Sequence, residues 1–199
     1  MAPITFFHCP SSRSSSAMFL LEELGVPYEV KVIDVRAGAG QTPEYLAVNP
    51  MGKVPAIIDD GEAVAETGAI ALYLADKYPG AGLAPPIGDP RRGAYLRWLF
   101  FNSSVDVVLV ERMFGREPMA AASAGYGDYD RVMRTLRLGL EKGPWLLGEQ
   151  FTAADVVIGA GVPWAFANGT IPKEEPFKSY AARIEARPAY QRARAKDAG

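Results

Sequence analysis

Two short stretches concentrate the residues able to do chemistry. The first, His8-Cys9-Pro10-Ser11-Ser12-Arg13-Ser14-Ser15-Ser16, follows an apolar run, Ile4 to Phe7, that reads as a short strand. Its serines favour turns and helix caps over helix interiors. The second stretch runs from Asn49 to Leu74. Asn49-Pro50 and Gly52 make a turn, Val54-Pro55 leads into Ala56-Ile57-Ile58, and Asp59-Asp60-Gly61 forms a hairpin turn. Glu62 to Ala65 pairs back, and Glu66-Thr67 caps a helix whose Ile70, Leu72, Tyr73 and Leu74 face inward. Pro55 cannot donate a ladder hydrogen bond, so either the strand begins after it or the Val54–Pro55 bond is cis. The backbone of Val54 is then able to pair with an extended peptide, and the free amides after Glu66 can hold a carboxylate. The combination describes a receptor for a small anionic peptide.

The elements that position these stretches follow in order. A helix is expected from Ser14 to Leu24, with Met18, Leu21 and Leu24 on one side and Gly25 as its stop. Tyr28 to Val35 reads as a second strand, Ala37 to Gln41 as a Gly/Ala loop, and Thr42-Pro43-Glu44 as the start of a short helix. With the hairpin and helix of the second stretch, the order is βαβαββα, a mixed sheet with a parallel pair and an antiparallel hairpin. Tyr78 to Asp89, rich in Pro and Gly, reads as a linker. Beyond it strand signals vanish. Helices are expected over Arg91 to Met113, Tyr129 to Leu140, Phe177 to Ala186 and Pro188 to Lys196, the arginines of the last two on a solvated face. Thr152-Ala153-Ala154-Asp155 is a capping box ahead of apolar Val156-Val157-Ile158 and reads as structural.

Composition narrows the function classes. The 199 residues, 49% apolar, suffice for one or two packed cores. Net charge is −2, which argues against nucleic-acid binding. Residues 1–80 carry 5 Lys/Arg against 10 Asp/Glu, and residues 81–199 carry 16 against 13, an asymmetry compatible with two domains. The single cysteine, Cys9, excludes an intrachain disulfide and suits a reducing compartment. Neither a signal peptide nor a membrane span is expected, so the expected location is cytoplasmic. The one histidine, His8, has no metal-type partner nearby in sequence, and no metal is expected.

The 49–74 stretch resembles the glutathione site of the glutathione S-transferases, which carry V-P before the third strand and E-S or E-T at the opening of the third helix. The similarity extends through Leu21 to Glu29 and, more weakly, along the whole chain. It implies an α/β plus all-α architecture: a thioredoxin-like domain over residues 1–78, a linker over 79–89 and an all-helical domain over 90–199. It also implies a detoxification enzyme that conjugates glutathione, as co-substrate, to a small hydrophobic electrophile. A homodimer is implied too, with Met51 standing where some classes insert a side chain into the partner subunit. Disulfide or peroxide reduction, dehalogenation, isomerisation, or ligand binding without turnover are alternatives on the same fold.

The resemblance assigns roles residue by residue. Glutathione must react as a thiolate, although a free thiol titrates near about 8.5; lowering that by two units requires about 2.7 kcal/mol. Counted back from Gly25, Ser11 falls on the catalytic serine of the phi, tau, theta and zeta classes, with Ser12 as the alternative and Ser14 as a further rival. Cys9-Pro10-Ser11-Ser12 is similar to the C-P-x-x of glutaredoxin-like and omega-class proteins, but in this register the omega cysteine falls on Ser11, which leaves Cys9 as a buried thiol at a strand end. Arg13 either adds positive potential near the thiolate or points into solvent. Glu66 and Thr67 would hold the γ-glutamyl amine and carboxylate, Val54 and Pro55 would present backbone to the cysteinyl unit, and Lys53 would reach a carboxylate. The loop that often carries basic residues for the glycine carboxylate reads Ala37-Gly38-Ala39-Gly40-Gln41, so Gln41 alone keeps a polar contact there. Trp98, Phe101, Val105, Val108, Met113, Trp164 and Phe166 are candidates either for the electrophile site between the domains or for core.

Overall fold

Alternation along the first strand sets up two layers. In β1 (Ile4–His8), Phe6 and His8 lie on one face, ring centroids 5.5 Å apart, while Phe7 packs on the other against buried Tyr45 at 5.4 Å. The computed structural model describes residues 3–198 and shows a four-stranded sheet of order β2-β1-β3-β4, with β2 Tyr28–Val32, β3 Ala56–Asp59 and β4 Glu62–Ala65. β1 and β2 run parallel, and β3 is antiparallel to both β1 and β4. Helix α1 (Ser14–Leu24) ends at Gly25, whose φ of 65° is left-handed and whose amide caps Leu21. α2 (Pro43–Leu46) is capped by the Thr42 hydroxyl, and α3 (Thr67–Lys77) follows β4. The βαβαββα order is the one read from the sequence.

Local differences have simple causes. β2 ends at Val32: the Ile33 amide still donates to the His8 carbonyl at 2.7 Å, but the Val35 amide then folds back onto the Ile33 carbonyl at 2.9 Å. α3 buries Ile70, Ala71, Leu74 and Ala75, with Leu72 and Tyr73 only half-buried, since the Tyr73 hydroxyl reaches out to Asp59 at 2.9 Å. Lys77 Nζ joins Asp59 at 2.5 Å and Asp60 at 2.8 Å, clipping the end of α3 to the hairpin.

By compactness the chain forms two units, one comprising the chain up to Ala81 and again from Pro188, the other Gly82–Arg187. The last helix, α9 (Pro188–Asp197), therefore packs with the first unit, whereas the sequence reading grouped it with the helical domain. It lies on α1. Tyr190 meets Phe19 edge-on at 5.3 Å, and buried Glu22 accepts from Arg192 Nε at 2.7 Å, Lys196 Nζ at 2.5 Å and the Tyr28 hydroxyl at 2.6 Å. Burial opposes ionisation of Glu22, but these donors outweigh it and hold the carboxyl at about 2.

The second unit holds α4 (Arg92–Phe114), α5 (Tyr129–Leu140), α6 (Ala153–Gly159), α7 (Gly161–Ala167) and α8 (Phe177–Glu185). Trp98, Val105 and Val108 are core residues there, Phe101 is half-buried, and Met113 and Trp164 are exposed. Asp155 sits wholly buried at the start of α6. Its two oxygens accept the Thr152 amide and hydroxyl, the Leu146 amide and the Tyr180 hydroxyl. Burial pushes this carboxyl up to about 6 against those four bonds. The arginines of α8 and its flank are not merely solvated: Arg183 donates to the Pro144 carbonyl, and Arg187 stacks on Phe151 at 3.5 Å. Among the described residues no helix is long and apolar enough to cross a membrane.

Candidate functional site

Strand direction gathers the candidate residues. β1, β2 and β4 point the same way and β3 the opposite way, so the chain ends leaving β1, β2 and β4 and the chain entering β3 share one edge of the sheet. Phe7 pairs with Ala56, and Ala56 with Ala65; one step further, that edge carries the β1–α1 turn with Ser11, the Val54–Pro55 entry to β3 and the Glu66–Thr67 start of α3. The Val54–Pro55 bond is cis and β3 begins after it, so both sequence readings of Pro55 hold. Glu66 is the N-cap of α3 but makes no side-chain cap; the helix's own bonds begin with the Ile70 amide on the Glu66 carbonyl. The Thr67, Gly68 and Ala69 amides thus have no partner within the helix.

The three serines are not equivalent. Ser14 is fully buried; its hydroxyl donates to the Cys9 carbonyl and accepts the Cys9 amide, with His8 Nδ1 at 2.8 Å. The Ser12 hydroxyl lies 2.8 Å from that of Ser14 and accepts the Ser14 amide at 3.2 Å, so it is spent inside the turn. Ser11 is exposed, and its hydroxyl has no partner among the described residues. Ser11 and Glu66 adopt left-handed φ of 53° and 70°, unusual for non-glycine residues and of order 1–3 kcal/mol each. Such conformations persist only where the surroundings over-determine them.

At Ser11 both sides of the residue are held. The Arg36 guanidinium, just beyond β2, donates to the Pro10 carbonyl at 3.0 Å and the Ser11 carbonyl at 2.8 Å and touches Cys9 Sγ at 3.4 Å. The Ser11 amide donates to Asp197 Oδ1 at 3.1 Å, which also accepts the Ser15 hydroxyl at 2.8 Å. His8 Nε2 lies 3.2 Å from the same oxygen without forming a hydrogen bond. Burial lowers the His8 pKa, with the Asp197 charge opposing, so the ring is neutral at pH 7. Cys9 is buried at the end of β1, as read from the sequence.

The turn before Val54 is built tightly. The Lys53 carbonyl accepts the Tyr45 hydroxyl at 2.6 Å and Asn49 Nδ2 at 2.8 Å, while Asn49 Oδ1 accepts the Met51 amide. Burial pushes the Tyr45 phenol up to about 12. Gly52 has φ of 63°, and a Cβ there would stand 2.5 Å from the Gly40 carbonyl oxygen and 2.3 Å from Gln41 Nε2. The 37–41 loop is therefore pressed against the turn, with Gln41 Nε2 against Gly52, the residue before Lys53. Gln41 and Lys53 are both exposed, as is Met51.

Comparison with known proteins agrees with this geometry. Residues 2–76 match the glutathione S-transferase N-terminal domain. A glutathione transferase structure from Methylococcus capsulatus is 30% identical, superposes with a TM-score of 0.82, and is covered over 98% of both chains. The chain belongs to the glutathione transferase family. Its first domain has the family's thioredoxin-like fold and is followed by a helical one. Another relative, the disulfide-bond oxidoreductase YfcG of Escherichia coli, is 28% identical across 94% of this chain and 92% of its own. A glutathione transferase structure from Burkholderia graminis, 26% identical with a TM-score of 0.78 over 96% of this chain and 87% of its own, holds two glutathione molecules per subunit.

Of the residues the sequence reading named, Ser11, Val54, Pro55, Glu66 and Thr67 lie along this edge of the sheet. It did not name Arg36 and Asp197, whose side chains hold the Ser11 backbone. Arg36 directly precedes the 37–41 loop, which has no basic residue, and was visible in the sequence; Asp197 is 186 residues from Ser11 and gave no signal.

Proposed function

We propose that this chain binds glutathione at the strand-end edge and that the Ser11 hydroxyl donates to its sulfur, holding it as the thiolate. The reading assigns Glu66 and Thr67, with the open α3 amides, to the γ-glutamyl end; the Val54 backbone and Pro55 to the cysteinyl unit; and Lys53 and Gln41 to the glycine carboxylate. The observation that carries it is the difference among the serines: Ser12 and Ser14 are consumed by internal bonds, while Ser11 is exposed and its hydroxyl has no partner among the described residues. A charge-assisted hydrogen bond together with the field of the nearby helix start is of the right size to supply about 2.7 kcal/mol.

The thiolate would attack an electrophilic carbon of a small hydrophobic substrate. A C–S bond forms, and the leaving group departs with its electron pair. The proton released on thiol ionisation passes to solvent. A second reading is disulfide reduction, favoured by the similarity to YfcG along nearly the whole chain and by the two glutathiones of the Burkholderia structure. There one thiolate opens the disulfide, a second glutathione resolves the mixed disulfide, and glutathione disulfide leaves with two free thiols. Assays with an activated aryl halide and with a small disulfide, on the wild type and Ser11→Ala, test both. Conjugation that falls in the variant supports the first reading; disulfide reduction without conjugation supports the second; full conjugating activity in Ser11→Ala removes Ser11 from its role.

A further inference from the structure

The Ser11 peptide is gripped from two distant parts of the chain. Asp197 takes its N–H and Arg36 its C=O, around a residue with left-handed φ. Asp197 is the last residue of α9, where the negative end of the helix disfavours a carboxylate, and it is only 4% exposed. A buried acid at that position is costly unless donors compensate it. The donors are the Ser11 amide and the Ser15 hydroxyl at the start of α1, with Arg194 Nη1 at 3.6 Å on the other oxygen and His8 alongside. The groups that compensate Asp197 are thus the ones that orient the Ser11 turn.

We infer that Asp197 and Arg36 are positioning residues that clamp the Ser11 peptide from its two ends and so aim the Ser11 hydroxyl at the bound thiol. The inference rests on the proposed role of Ser11. Neither residue touches the sulfur; each acts through Ser11. A clamp of this kind acts on the ionisation of bound glutathione and on kcat, and leaves glutathione affinity, set at Glu66, Thr67 and Val54, little changed.

The test is ultraviolet titration of the bound thiol together with steady-state conjugation kinetics. Variants are Ser11→Ala, Asp197→Ala, Asp197→Asn, Arg36→Met and the double variant Ser11→Ala/Asp197→Ala. Arg36 is exposed, so its variant keeps the test open should Asp197→Ala fail to fold. Asp197→Ala and Arg36→Met are expected to raise the bound thiol's pKa by about one unit and lower kcat on the order of tenfold at unchanged glutathione KM. Asp197→Asn, which keeps an acceptor for the Ser11 amide, restores most of kcat. The double variant is no worse than Ser11→Ala alone, because both changes remove one interaction. Wild-type ionisation in Asp197→Ala and Arg36→Met, beside a raised pKa in Ser11→Ala, overturns the clamp and leaves the Ser11 reading standing. Wild-type ionisation in Ser11→Ala removes that reading and the clamp with it. Additive losses in the double variant also overturn the clamp.

Discussion

Replacing Gly52 with alanine should cost far more than its backbone angle alone explains. At φ of 63° any L-residue pays about 1–2 kcal/mol. The new Cβ would also stand 2.5 Å from the Gly40 carbonyl oxygen and 2.3 Å from Gln41 Nε2. The amide end of Gln41 can swing away cheaply, but the Gly40 carbonyl is backbone. Moving it drags the 37–41 loop off the turn that presents Lys53 and Val54. Overpacking of this kind adds about 1–3 kcal/mol, for a total of about 2–5 kcal/mol. Gly61 supplies the control: φ there is 89°, yet nothing lies within 4 Å of its Cβ position, so Gly61→Ala carries only the angular cost of about 1–2 kcal/mol. Denaturant unfolding of both variants measures the difference, and calorimetric titration with glutathione reads the functional consequence. Gly52→Ala is expected to be the less stable and to bind glutathione more weakly, while Gly61→Ala binds as the wild type. Equal stability losses would refute the argument from close approach, and unchanged glutathione affinity in Gly52→Ala would refute the link between this turn and the site.

Three further outcomes follow from the charge network. Glu22→Gln should destabilise the protein by about 1–2 kcal/mol at pH 7, discounted because Arg192 and Lys196 are half exposed. Glu22 has a lowered pKa, so its contribution is present above about 4.5 and lost as pH falls toward 2; urea unfolding should find the gap between variant and wild type closing over that window, and a constant gap contradicts the assignment. Asp155→Ala strands the buried Leu146 and Thr152 amides and the Tyr180 hydroxyl and should cost about 3–5 kcal/mol by thermal denaturation; a loss below about 1 kcal/mol contradicts its role as the hub of α6. His8 is neutral in the fold, whereas the unfolded chain protonates it below about 6.5, so folding loses stability on acidification. Asp155 works the other way between 6 and 3.8, so the comparison is with His8→Gln: the wild type should lose more of its thermal midpoint between pH 7 and pH 5.5, and equal losses refute the point.

Where the sequence was legible, the information was local. Val54-Pro55, the Asp59-Asp60-Gly61 turn and Glu66-Thr67 sit within fourteen residues, and each fixes backbone by its own residue type, so strand, turn and helix start could be read in register. Gly25 and Thr42 marked helix ends for the same reason. The count from Gly25 put Ser11 ahead of Ser12 and Ser14 only through the family register; which hydroxyl the fold consumes depends on the Cys9 backbone and on His8, and spacing does not carry that. α9 was assigned to the helical domain because strand signals vanish beyond the linker and the family resemblance puts all that follows in one helical domain; its partner Glu22 lies 170 residues earlier, and nothing in a linear pattern announces that pairing. The contact of Asp197 with the Ser11 turn was illegible for the same reason, since in the sequence it is one more charge beside Arg194 and Lys196. α7 was not read from the sequence, although Gly159, Gly161 and Pro163 flank Ala160 at the join with α6.

The central claim is that the strand-end edge holds glutathione through the start of α3. It is tested most directly by calorimetric titration of the wild type and Glu66→Ala with glutathione. The account predicts saturable binding to the wild type that weakens at least about tenfold in the variant, as expected for losing a charge-assisted hydrogen bond. Equal binding by the two proteins, or no binding to the wild type, would contradict it.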